Sequence, residues 1–192
     1  INQKDILKTA NKLIPYIARL KQIKDEYTSD YSSDYPVDYP FDYPESSILM
    51  PLDKRILHTV YKLIKEKDTS KLQYMLIIGI GGSNLGTKAI YDALFGYYDA
   101  INPQRYPRLI FIDTIDSESL LHIQNILKNN ITHINQVLIN VISKSGHTTE
   151  TIANFELIYA ILLKKFSKKD ILKRVIITTD YKSKLFYLGQ KN

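Results

Sequence analysis

Two short segments hold the residue types that bind anions. The first is Gly79-Ile80-Gly81-Gly82-Ser83-Asn84-Leu85-Gly86, which gathers glycines and a serine within eight positions. Glycines let the backbone turn tightly and bring its N–H groups close to a negative group. The second is Ser143-Lys144-Ser145-Gly146-His147-Thr148-Thr149-Glu150-Thr151, with five hydroxyl side chains and a lysine. Hydroxyls and N–H groups at the start of a helix can donate together to phosphate oxygens, and the helix dipole favours the negative charge there. Charge-assisted hydrogen bonds contribute roughly 1.5–3 kcal/mol each. Each segment also has a plainer reading. The first could be only a tight strand-to-helix turn. The second could be only an N-cap, but a cap needs one hydroxyl and this loop holds five. The excess favours a ligand.

The first segment also overlaps in part with a dinucleotide fingerprint. Gly79 and Gly81 fit G-x-G-x-x-G, but Asn84 occupies the third glycine position, and the acid expected after the next strand would be Asp113. A dinucleotide-binding domain is therefore the weaker alternative. Other candidate groups do not cluster in sequence. His58 and His122 fall within expected helices and His133 just before a strand, so packing or surface roles are expected for all three. Glu118 and Glu150 each open a helix, where an acid suits the dipole, and neither is assigned to catalysis. The chain has no cysteine, which removes disulfides and thiol chemistry. No metal site is read.

Both loops need elements to hold them. Four apolar runs, at 74–80, 108–113, 136–143 and 174–179, read as buried strands. Helices are expected between them at 84–95, 117–129 and 148–166. Continuous apolar strands alternating with helices predict a doubly wound parallel sheet, an α/β fold of three layers. Such sheets bind ligands at the carboxyl ends of their strands, where the strand order reverses. The two loops follow strands one and three, so one crevice can hold both. Asp53 is placed to cap a helix carrying Ile56, Leu57, Val60, Leu63 and Ile64 on one face.

The N-terminal stretch has a different composition. Residues 3–26 keep a helical period, and Pro15 predicts a kink or two short helices. Residues 27–47 repeat Asp-Tyr every four positions, with Pro36, Pro40 and Pro44 between. Proline disfavours both helix and central strand, so an extended linker or surface loop is expected, either a tolerated repeat or a tyrosine-rich docking strip. The domain reading is a helical lead-in at 1–26, this linker at 27–47, and an α/β domain over 48–192. The net charge of +6 suits an anionic ligand or no particular partner, since the lysines are spread along helices. Lysines 164, 165, 168, 169 and 173 are expected to solvate a helix end, and no basic run interleaved with aromatics points to nucleic acid. No apolar run is long enough to span a membrane, and a cytoplasmic location is the simple reading. Without an initiator Met, and with little after the fourth strand, the chain is expected to be part of a longer one.

GIGGSNLG, followed about sixty residues later by SKSGHTTET, resembles the first sugar-isomerase (SIS) domain of the glucose-6-phosphate isomerase family. The likeness runs from about residue 50 onward and leaves out the Asp-Tyr repeat. The resemblance implies a flavodoxin-like SIS fold, cut short at its C-terminal side. It implies that Gly82 and Ser83 contact the sugar. Ser143, Lys144, Ser145 and Thr148 would bind the phosphate, with Gly146 and His147 completing the turn. His147 departs from the pattern, which usually has threonine there. The family converts an aldose phosphate to a ketose phosphate through an enediol(ate), using a glutamate base with histidine, lysine and arginine, and no metal or other cofactor. The motifs for those four groups match nothing in this sequence, so no catalytic residue is assigned. The resemblance also implies a homodimer for the full-length protein and a phosphorylated hexose as partner. A non-catalytic sugar-phosphate sensor on the same domain is the alternative, and the lead-in helix lacks the basic recognition helix that a DNA-binding regulator would need.

Overall fold

β-Branched and aromatic residues crowd four short runs, and each becomes a strand. In the computed structural model these are β1 (Tyr74–Ile78), β2 (Arg108–Ile112), β3 (Val137–Ile142) and β4 (Val175–Thr178). The structure describes residues 2–26, 46–99 and 105–191. The chain divides into two units, one up to Leu63 and one from Ile64.

In the first unit, α1 runs unbroken over Gln3–Glu26 with Pro15 inside it. Of the two expected outcomes, a kink or two short helices, the second is not formed. Proline removes one backbone donor and crowds the preceding turn, but the remaining turns of a 24-residue helix carry it past the interruption. The Asp-Tyr repeat lies outside the described residues. Ser46 and Ser47, read as the end of the linker, instead open a 3-10 helix over Ser46–Leu52. Helix α2 (Lys54–Glu66) follows. Asp53 caps it as expected, accepting from the Arg55 backbone N–H at 2.9 Å. The Arg55 guanidinium also forks onto the same carboxylate, which lowers the Asp53 pKa.

The second unit holds the sheet. Its order is β2-β1-β3-β4 and every pairing is parallel. Ile78 at the end of β1 lies beside Val141 near the end of β3. The strand order reverses between these two strands: the chain leaves β1 for β2 on one side and returns to β3 on the other. The expected doubly wound α/β sheet is therefore present.

The helices of this unit are α3 (Leu85–Phe95), α4 (Ser117–Asn129), α5 (Thr149–Leu163), α6 (Lys168–Leu172) and α7 (Lys184–Gln190). Period-two alternation sorts the strand residues by face. Tyr74, Leu76, Ile78, Val137, Ile139 and Val141 join Leu120, Ile123 and Leu127 of α4 and Ile158, Ile161 and Leu162 of α5 in one core. Phe111 points to the other face, where Tyr91 of α3 meets it edge-on at 6.0 Å. The Tyr91 hydroxyl accepts from Leu109 N–H at 3.2 Å and donates to Asp99, whose carboxylate Arg105 also grips. This cluster anchors the end of α3 to the start of β2. Helix α7 and the separate turn of α6 have no counterpart in the sequence reading.

Candidate functional site

Both predicted loops leave the sheet at the reversal of strand order. Gly79 continues β1, and its N–H donates to the Ile112 carbonyl at 3.2 Å. A Cβ on Gly79 would lie 3.0 Å from the Ile142 carbonyl oxygen, so a side chain there would collide with the end of β3. The close approach of the two strand ends is the physical demand for glycine at this position. Gly81, at φ +56, takes the left-handed turn that opens a 3-10 helix over Gly81–Ser83. Gly82 is exposed, and a Cβ there would meet nothing within 4 Å. Ser83 is half-buried and its N–H donates to the Ile80 carbonyl at 3.1 Å.

Helix α3 then starts without a side-chain cap. Asn84 stands at the cap position, yet its carboxamide turns away and donates from Nδ2 to the Gly79 carbonyl at 2.7 Å. It thus closes the loop onto its own beginning. Asn84 is fully buried and its Oδ1 has no hydrogen-bond partner among the described residues. Sequence reading treats Asn84 only as a departure from a glycine pattern. Its position at a helix start is the available signal for a backbone-binding role.

The second loop is arranged on the same plan. Thr148 occupies the cap position of α5, but its hydroxyl accepts no first-turn N–H. It pairs instead with Ser143 Oγ at 2.9 Å. Two hydroxyls sharing one hydrogen bond leave one proton free to donate elsewhere. Ser143 is buried and its Oγ accepts from Gly146 N–H at 3.2 Å. Ser145 Oγ accepts from His147 N–H at 3.3 Å. Gly146, at φ +68, makes the turn. Lys144, Ser145 and His147 are exposed, and the Lys144 ammonium has no carboxylate partner among the described residues. The loop therefore combines a lysine, a spare hydroxyl proton and a helix start with no side-chain cap, which is the equipment of an anion site.

A third segment, absent from the sequence reading, backs this loop. Thr179 and Ser183 follow β4, with Thr179 Oγ1 donating to the Ser143 carbonyl at 2.6 Å and paired with Ser183 Oγ at 2.7 Å. Its signal is a run of hydroxyl and turn residues at the carboxyl end of a parallel strand. The remaining candidates lie outside the two segments, apart from Glu150. His133 is at the opposite end of β3, beside Gln136. His122 is exposed on α4. Glu118 and Glu150 are exposed in the first turns of α4 and α5. Asp113, the acid of the dinucleotide alternative, is exposed after β2. No group of three or more acids and histidines able to hold a metal is found among the described residues. No described helix is long and apolar enough to cross a membrane.

Comparison with known proteins identifies the family and the fold. The family model described as phosphoglucose isomerase matches residues 58–190. A glucose-6-phosphate isomerase of Acholeplasma laidlawii is 37% identical over 130 residues, covering 67% of this chain and 28% of that protein. One from Leptospira biflexa is 34% identical over 113 residues, covering 58% of this chain and 24% of its own length. Among solved structures, a hypothetical protein of Thermus thermophilus superposes with a TM-score of 0.64 at 20% identity, over 98% of this chain and 40% of that one. A glucose-6-phosphate isomerase of Chlamydia trachomatis does so at 0.58 and 22% identity, over 96% of this chain and 36% of that one. At these identities the structural matches speak for the fold. The chain spans about a quarter of the length of the curated relatives it matches. With the family model covering more than half of its residues, the chain belongs to the phosphoglucose isomerase family.

Proposed function

We propose that this chain forms the phosphosugar pocket of a glucose-6-phosphate isomerase, the enzyme that interconverts glucose 6-phosphate and fructose 6-phosphate in glycolysis and gluconeogenesis. One observation carries the reading. The two helices that start where the strand order reverses, α3 and α5, both lack a side-chain cap. In this reading the Ser143–Thr148 loop takes the phosphate. Lys144 supplies the charge. Ser145 and the Ser143–Thr148 pair supply hydroxyls, and Gly146 and His147 supply backbone. The Gly79–Gly86 loop takes the sugar end, with Gly82 leaving room and Ser83 offering its hydroxyl. Three or four charge-assisted hydrogen bonds, at roughly 1.5–3 kcal/mol each, hold a phosphate dianion well.

The chemistry of an aldose-ketose conversion needs a base to carry a proton between two neighbouring carbons. No residue of the two loops is assigned as that base: Ser83, Lys144, Ser145 and Thr148 are read as binding and orienting. The chain is thus read as the binding part of the site, with turnover requiring groups beyond those assigned here. A cytoplasmic location, a homodimeric full-length protein and no nucleic-acid partner belong to the same proposal.

Calorimetric titration with 6-phosphogluconate, beside a coupled assay for fructose 6-phosphate, tests it. Expected are saturable binding and no turnover by the 192 residues. Turnover would show that a base had been overlooked. Thermal stabilisation by NAD, with none by 6-phosphogluconate, would replace the phosphosugar reading with a dinucleotide one.

A further inference from the structure

The segment after β4 is bonded to the back of the Ser143–Thr148 loop along a chain of defined direction. Thr179 Oγ1 donates to the Ser143 carbonyl at 2.6 Å and lies 3.4 Å from the Lys144 carbonyl. A hydroxyl has one proton, so the 2.7 Å bond between Thr179 Oγ1 and Ser183 Oγ must be donated by Ser183. Ser183 Oγ in turn accepts from Phe186 N–H at 3.0 Å. The order is Phe186 N–H, Ser183 hydroxyl, Thr179 hydroxyl, Ser143 carbonyl. Beside it, Asp180 N–H donates to the Lys144 carbonyl at 3.1 Å. Gly146 lies flat against the same segment: a Cβ there would be 2.9 Å from Leu185 N and 3.0 Å from Ser183 Oγ.

The direction of these bonds matters because a trans peptide is planar, with its C=O and N–H pointing opposite ways. The Ser143 carbonyl shares a peptide with the Lys144 N–H. The Lys144 carbonyl shares one with the Ser145 N–H. Drawing both carbonyls toward Thr179 and Asp180 turns the N–H groups of Lys144 and Ser145 to the other side of the loop. Consecutive N–H groups on one side form a concave seat for an anion, while a carbonyl turned inward would repel it. We propose that Thr179 is a positioning residue for the phosphate end of the site. It touches no ligand. It holds the Ser143 carbonyl back, beside the Asp180 N–H that holds the Lys144 carbonyl, so that the amides of the phosphate loop face the anion. This inference rests on the phosphosugar reading above.

The test compares Thr179→Val, Thr179→Ser and wild type for affinity toward 6-phosphogluconate and toward inorganic phosphate, with melting temperature recorded for each. Valine keeps the shape of threonine and removes the proton. It is expected to weaken both ligands by roughly tenfold, the worth of one hydrogen bond in a charged site. Serine restores the proton and is expected to bind within about twofold of wild type. A lower melting temperature with unchanged affinities overturns the proposal, since a purely structural staple would behave in that way. So does a loss confined to 6-phosphogluconate, which would place the effect at the sugar end. Where Thr179→Val does not fold, Ser183→Ala reads the same chain one bond back. It frees the Thr179 hydroxyl to turn, and an unchanged phosphate affinity counts against the proposal. A wild type that binds neither ligand overturns both readings. A wild type that binds both, with Thr179→Val its equal, overturns this one alone.

Discussion

Helices α4, α6 and α7 begin on a side chain that closes their first turn, and α3 and α5 do not. Asp116 accepts from Ser119 N–H at 2.8 Å at the start of α4. Ser167 does the same for α6 and Ser183 for α7. At α3 and α5 the cap residues are equally capable, an asparagine and a threonine, yet each spends its polar group on the loop behind it. Residue type therefore does not separate the two groups. Position does: α3 and α5 both start at the crevice between β1 and β3. The difference teaches that a helix start with a good capping residue can still go without a side-chain cap, when the loop before it needs that side chain more.

The largest expected effect comes from erasing the difference. Thr148→Asp would place at α5 the kind of cap that Asp116 provides at α4. Its carboxylate should accept the first-turn amides and leave the melting temperature level or higher. It should also repel phosphate, and 6-phosphogluconate affinity is expected to fall about a hundredfold, or ~2.7 kcal/mol. Retained affinity in calorimetry would mean that the start of α5 is not the anion seat. Next comes Gly146→Ala, which forces a side chain into φ +68 against the Leu185 backbone. Strain of this kind costs roughly 1–3 kcal/mol. Denaturant melts should show it, with phosphate affinity falling in parallel because the same turn shapes the loop. Asp116→Ala removes the cap of α4, which follows the edge strand β2 rather than β1 or β3. It should lower stability by roughly 1 kcal/mol and leave ligand affinity unchanged. A change in affinity would blur the division between the two kinds of helix.

The pH dependence is the mildest test. Arg105, and after it the Tyr91 hydroxyl, hold the Asp99 carboxyl down to about 2 at the far end of α3. A depressed carboxylate contributes stability that is complete above its unfolded value near ~4 and is lost as pH falls through its folded value. Melting temperature should therefore drop between pH ~4 and about 2. Asp99→Asn should flatten that part of the profile.

Much of the scaffold is legible in the sequence. The strands are found because parallel strands buried on both faces leave continuous apolar runs, and the observed ends fall within two residues of those expected. Helix α4 is placed correctly because its apolar period is clear. Asp53 reads as a cap because a capping bond is local. Pro15 does not split the helix, since the cost of one lost bond is set against a whole helix that local reading does not weigh. Helix α7 and the Thr179–Ser183 segment escape notice because their role lies in bonds to residues some 36 positions earlier.

The same division holds for the site. Sequence alone determined which residues could bind an anion, because the glycines of 79–86 and the hydroxyls of 143–151 declare their chemistry locally. It also determined that both groups follow strands, hence that both lie at one end of a parallel sheet. Only the tertiary structure decided that Asn84 and Thr148 would leave their helices uncapped. Only it showed that Ser143 and Thr148 share a hydrogen bond, and that the Thr179 hydroxyl donates to the Ser143 carbonyl. Capping, pairing and carbonyl direction are choices among competing hydrogen bonds of similar strength. The winner is set by which groups the packed strands bring within reach.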